Sequence, residues 1–197
     1  VLLGYLCTIP TTATEQDEIQ AATLATAHYK DANCMTDKMA ALQTLASMDG
    51  KGAVSYREEA LQDFYDNAKG DALVLNKWFT TQALANLPDV LDRVKELTKH
   101  PDFTLSNPNR CRSLVSAFCV NGAPFHAMDG AGYQFLADTV LQVDSLNPQL
   151  SSRMAQSLIG WRKYGEERGA LMKGQLERLV KEKLSDDLFE VVSRGLK

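Results

Sequence analysis

Gln149 and Arg153 lie four residues apart, directly after Asn147-Pro148, where Pro148 reads as the start of a helix. At that spacing both side chains project from one helical face near its N-terminus. A guanidinium can pair with a carboxylate and a carboxamide with a backbone amide, so together they suit an extended peptide. The competing reading is an ordinary solvated surface pair, because i,i+4 partners of this kind are common and individually weak. A second polar group, Asn107-Pro108-Asn109-Arg110-Cys111-Arg112, stands at another helix start.

Bond-making chemistry has no such candidates. His28, His100 and His126 are far apart, none belongs to an H-E-x-x-H, and no first-shell zinc site can be drawn. There is no G-x-S-x-G elbow and no Gly-rich phosphate loop, and Gly130-Ala131-Gly132 continues into Tyr133-Gln134 without a third glycine. Neither a catalytic nor a metal-binding residue is therefore assigned. Cys7, Cys34, Cys111 and Cys119 show no C-x-x-C, and positions 111 and 119 on one helix would stand about 12 Å apart, too far for a disulfide. Small buried, reduced thiols and a cytoplasmic location are expected. His28 and His100 read as surface residues, His126 as a loop histidine bonded to the turn around it, and Trp78 and Trp161 as packing residues. Arg162-Lys163 with Arg168 reads as a solvated helix face.

The elements that must hold these residues are helices. The 197 residues are 45% hydrophobic and 23% charged, enough for a substantial core, and the formal charge of -4 gives no attraction to phosphate backbones or anionic lipid. Neither nucleic acid nor a membrane is expected as a partner, since no run approaches the roughly 18 apolar residues that cross a bilayer. Apolar residues recur with the 3.6-residue period almost throughout. The opening Val1-Leu2-Leu3 reads as a helix cut mid-element. Thr36 is expected to cap a helix carrying Met39, Leu42 and Leu45, and Ser55 with Glu58 to form a capping box for the next. Pro88 is expected at the first turn of a helix bearing Val90 and Val94, Pro108 at the start of one running to Val120, and Ser185 as the N-cap of a last helix. Paired helices recur near every 40 residues, the armadillo/HEAT range, so the expected fold is all-α, antiparallel hairpins stacked as an armadillo/HEAT-like superhelical domain over residues 1–197.

Several ordered stretches resemble the C-terminal end of the bacterial M1 alanyl aminopeptidases, also called aminopeptidase N. Tyr29-Lys30-Asp31-Ala32-Asn33-Cys34-Met35-Thr36-Asp37 is similar to Y-x-x-A-x-N-M-T-D, and Leu73-Val74-Leu75-Asn76-Lys77-Trp78-Phe79 to L-V-x-x-K-W-F. The run from Phe103 to Leu114 is close to F-x-x-x-N-P-N-R-x-R-S-L, and Phe125-His126-Ala127, Asp129-Gly130, Gly132-Tyr133, Asn147-Pro148-Gln149 and Ser152-Arg153 continue it in order. The match covers roughly residues 29–197, and residues 1–28 are a less clear, incomplete start.

The resemblance implies a helical domain that closes over a zinc-dependent catalytic domain and encloses a chamber for short peptides. It places H-E-x-x-H and the zinc upstream of Val1, in the same polypeptide, and leaves no cofactor in this segment. Gln149 then matches a position near the pocket for the substrate's N-terminal side chain, Arg153 one facing the peptide's distal part, and Arg112 a third chamber-facing position. Asn107, Pro108 and Arg110 remain helix-start and inter-helix structure. The alternative is a stand-alone helical-repeat scaffold whose concave face holds a protein partner.

Overall fold

The computed structural model describes residues 2–7 and 13–197. Every regular element among them is helical: α1 (Leu2–Leu6), α2 (Glu15–Asp31), α3 (Met35–Ala46), α4 (Val54–Ala68), α5 (Ala72–Ala83), α6 (Val90–Leu97), α7 (Pro108–Cys111), α8 (Ala117–Val120), α9 (Gly122–Phe125), α10 (Ala131–Asp144), α11 (Pro148–Ile159), α12 (Glu166–Leu179) and α13 (Asp186–Leu196). They fall into two compact units, residues 1–90 and 91–197.

In the first unit, α2 and α3 fold back on each other and α4 returns alongside α2. Ala22, Ala25 and Tyr29 of α2 are buried, as are Leu42 and Leu45 of α3 and Leu61 and Phe64 of α4. The small residues of α2 let its neighbours approach closely. The α3–α4 connection is held from within: Arg57 is 4% exposed and donates to the Met48 carbonyl at 2.6 Å, while its other nitrogen meets Glu58 at 3.0 Å. Trp78 of α5 donates its indole N–H to the Leu61 carbonyl at 2.9 Å, the packing role expected for it. Bonds from Glu18 to Gly52, Thr23 to Tyr56 and Tyr29 to Asp63 span 34, 33 and 34 residues. This constant offset means that α2 and α4 run parallel and in register, as the equivalent helices of successive hairpins do.

The second unit packs Leu114, Phe118, Phe125, Tyr133, Leu136, Val140, Leu158, Met172, Leu176 and Val192, all fully buried. Bonds from Asp138 to Arg178, Asp144 to Ser185 and His126 to Arg168 span 40, 41 and 42 residues. Here the repeat near 40 residues read from the sequence is realised as contact between α10 and α12 and the segments that flank them.

Local starts differ from expectation in instructive ways. α3 begins at Met35 after Cys34, so Thr36 lies inside the helix rather than capping it. Ser55 likewise falls within α4, whose N-cap is Ala53 and has no side-chain bond. The burial of Arg57 against Met48 fixes that corner instead. α6 starts at Val90, two residues beyond Pro88. The capping box is at Thr14, which bonds reciprocally with Asp17. Asn107 with Pro108 and Ser185 do cap as the sequence indicates. The helix expected to run to Val120 does so through a π turn, Arg112–Ser116, where the Ala117 N–H reaches the Arg112 carbonyl five residues back. Cys34 is exposed rather than buried.

Candidate functional site

The N-terminus of α11 is built by a chain of side-chain bonds. α10 ends at Asp144, and Asn147 caps α11 by accepting from the Leu150 N–H at 3.0 Å, with Pro148 in the first turn. Asp144 is only 8% exposed and is held on three sides. The Ser151 and Ser185 hydroxyls donate to its Oδ1 at 2.7 and 2.6 Å, and the Ser185 backbone N–H donates to its Oδ2 at 2.7 Å. One buried carboxylate thus joins the end of α10, the first turn of α11 and the N-cap of α13. Charge-assisted bonds of this kind are worth about 1.5–3 kcal/mol each, and they need their partners precisely because the group is out of water.

α11 lays Leu150, Ser151, Met154, Ala155 and Leu158 into the core. Gln149 and Arg153 are exposed, and Gln156 is exposed at the next position of the same row. Among the described residues the Gln149 carboxamide and the Arg153 guanidinium have no hydrogen-bond or ion-pair partner. A rigidly seated helix start therefore leaves two polar groups unused and exposed. Gln156 is a member that pairwise reasoning about positions 149 and 153 missed; continuing the row by three residues would have found it.

Arg112 is also exposed, but its Nη2 donates to Asn109 Oδ1 at 2.8 Å. Cys111 Sγ lies 3.7 Å from Met154 Sδ. That contact sets the residue before Arg112 beside the residue after Arg153. The π turn begins at Arg112 and changes the direction of the side chains after it, which periodicity alone does not reveal. Arg110 is buried, in line with a structural role.

The thiols nearby are quiet. Burial pushes Cys111 up to about 11 and Cys119 up to about 12, so both stay protonated at neutral pH. All four cysteines are free. Among the described residues no three His, Cys, Asp or Glu side chains stand together as a metal site. The donor set of a zinc centre does not fit here, and no step through zinc is derived for this chain.

The aromatic cluster beyond α9 is more tightly knit than its sequence indicates. His126 Nδ1 lies 2.8 Å from the Tyr133 hydroxyl, the His126 ring packs on Tyr164 with centroids 4.3 Å apart, and Arg168 Nε donates to the His126 carbonyl at 2.8 Å. Arg168 is therefore a fastening, not a solvated charge. Arg162 is likewise engaged, donating to the Gly195 and Leu196 carbonyls at 3.2 and 3.3 Å and lying over the Trp161 ring. Burial, then the Arg168 charge, lowers the His126 pKa below its usual value. α10 starts against this cluster, because a side chain at Gly132 would meet the Phe125 carbonyl at 2.6 Å.

An all-helical chain of repeated hairpins defines a helical-repeat class, and comparison with known proteins gives the family. The family model described as a domain of unknown function, DUF3458_C, with ARM repeats matches residues 1–197, and the chain belongs to that family. It is 45% identical over 171 residues to aminopeptidase N of Caulobacter vibrioides, covering 86% of this chain and 19% of that protein. With aminopeptidase N of Escherichia coli the identity is 39% over 178 residues, 89% of this chain and 20% of that protein. A solved structure of Legionella pneumophila aminopeptidase A in complex with aspartic acid superposes with a TM-score of 0.84 at 33% identity, covering 92% of this chain and 22% of that one. The resemblance read from the motifs, to the C-terminal domain of M1 aminopeptidases, holds. The chain spans about a fifth of the length of these relatives.

Proposed function

We propose that this chain is the chamber-forming C-terminal domain of a zinc-dependent aminopeptidase, contacting short peptide substrates through Gln149 and Arg153, with Arg112 as a third contact. The observation that carries the reading is the unpartnered Gln149–Arg153 pair on a helix start locked by Asp144, in a chain whose relatives are aminopeptidases. Residues 1–197 act as one domain of a longer polypeptide, whose catalytic domain lies upstream and holds the zinc that activates water for peptide hydrolysis. This segment's residues bind and orient: Arg153 pairs with a carboxylate at the distal end of the peptide, and Gln149 bonds to the peptide near its N-terminal side chain. A stand-alone scaffold is less well supported, since the relatives at 39–45% identity are all peptidases. The reducing cytoplasm suits the four free thiols. No helix among the described residues is long and apolar enough to cross a membrane.

The test is Arg153→Ala in the complete enzyme, assayed on a tripeptide and on an amino-acid amide that has no distal carboxylate. The expected result is a KM for the tripeptide raised about tenfold or more, the loss of one charged hydrogen bond, with the amide unaffected. Equal effects on both substrates, or none, would sink the assignment.

A further inference from the structure

A polar cavity lies in the first unit, between α2, α3 and α4. It has a volume of about 520 Å³ and is lined by Thr26, Tyr29, Lys30, Lys38, Glu59 and Asp63, among others. That volume falls within the range of small-molecule sites. Its charges are not used up internally. Asp63 is taken, accepting from the Tyr29 hydroxyl at 2.7 Å and from the Asn67 carboxamide at 3.0 Å. Lys38 leans over the Tyr29 ring at 4.6 Å and forms no ion pair among the described residues. Neither Lys30 nor Glu59 has an ion-pair partner among them. The Thr26 hydroxyl oxygen is buried and without a hydrogen-bond partner, closed off from the groove that its residue lines.

The helix register orders these groups along the groove. With α2 and α4 parallel and offset by 34 residues at the Tyr29–Asp63 bond, Glu59 is level with residue 25 and Lys30 with residue 64. Glu59 and Lys30 therefore stand five residues apart along the axis, about 7.5 Å at the helical rise. Thr26 falls between them, and Lys38 adds a second cation. An extended chain of two residues spans about 7 Å. A free amino acid, whose two charged groups share one carbon, does not span that offset.

We propose that this groove binds a zwitterionic dipeptide, its ammonium at Glu59 and its carboxylate at Lys30 and Lys38. Gln149 and Arg153 belong to the other unit, and the proposal does not depend on the peptidase reading.

The probe is alanyl-alanine, titrated into the isotope-labelled 197-residue chain and followed by amide chemical shifts, beside its N-acetylated and C-amidated forms. Saturable shifts are expected at Thr26, Tyr29, Lys30, Lys38 and Glu59, with affinity falling about tenfold when either terminus is blocked, a loss of about 1.4 kcal/mol each. Glu59→Gln should weaken the free dipeptide and leave the N-acetylated form unchanged, while Lys30→Gln should spare the C-amidated form. Both positions are exposed, so the variants fold. Absence of saturation, indifference to blocked termini, or shifts confined to α11 would each overturn the proposal.

Discussion

The two units spend their polar side chains differently. In residues 91–197 the buried or half-buried charges act as clamps: Asp144 joins three elements, Arg168 holds the His126 carbonyl and Arg178 meets Asp138 at 2.6 Å. In residues 2–7 and 13–90 the corner is clamped by Arg57, but the α2–α4 groove keeps Lys30, Lys38 and Glu59 without ion pairs and Thr26 without a partner. The lesson is that clamping and binding compete for the same groups. A side chain already satisfied by its own chain has little to offer a ligand, so candidate contacts are the polar groups that a rigid frame leaves over. In the second unit those are Gln149 and Arg153, and the frame around them is the Asp144 clamp.

The sharpest way to break this comparison is to remove the clamp. Asp144→Ala strips bonds from Ser151 and Ser185 and leaves buried donors unmet, so a destabilisation of about 3 kcal/mol is expected in chemical denaturation. Glu59→Gln in the first unit should stay within about 0.5 kcal/mol of the parent. Similar values for the two would show that Asp144 is no more a clamp than Glu59.

A smaller effect concerns pH. The His126 pKa is lowered in the folded chain by burial and then by Arg168, so the unfolded chain binds the proton more readily. Stability should consequently decline as pH falls below about 6.5, the ordinary histidine value, and level off once pH drops under the lowered folded value. His126→Gln should flatten that decline in thermal melts taken between pH 7.5 and 5. An unchanged slope would assign it to other groups.

The smallest effect is expected at Thr26. Thr26→Val exchanges an unpartnered buried hydroxyl for a methyl group and should be neutral or stabilising by up to about 1 kcal/mol, because no hydrogen bond is lost. A clear loss of stability would mean that the hydroxyl is already satisfied. Ser151→Ala, which takes a donor from Asp144, should cost about 1 kcal/mol or more and makes the matched control.

Much was determined by sequence alone. The 3.6-residue period makes the elements helical because burying one face of each helix is the dominant gain. Asn107-Pro108, Asn147-Pro148 and Ser185 mark helix starts by local chemistry that needs no neighbour. The i,i+4 spacing of Gln149 and Arg153 likewise follows from helix geometry, and the ordered motifs carry the family. What only the tertiary structure decided is how distant groups meet. Thr36 and Ser55 have the right type for caps, yet Arg57 on Met48 settles where α4 begins. Asp144 looks like any helix-end acid until Ser185, 41 residues on, donates to it. The π turn at Arg112 and the unpaired charges between α2 and α4 are equally invisible in the order of residues. Local rules fix which helix a side chain rides on, but whether it is clamped or free depends on partners that only packing brings within bonding distance.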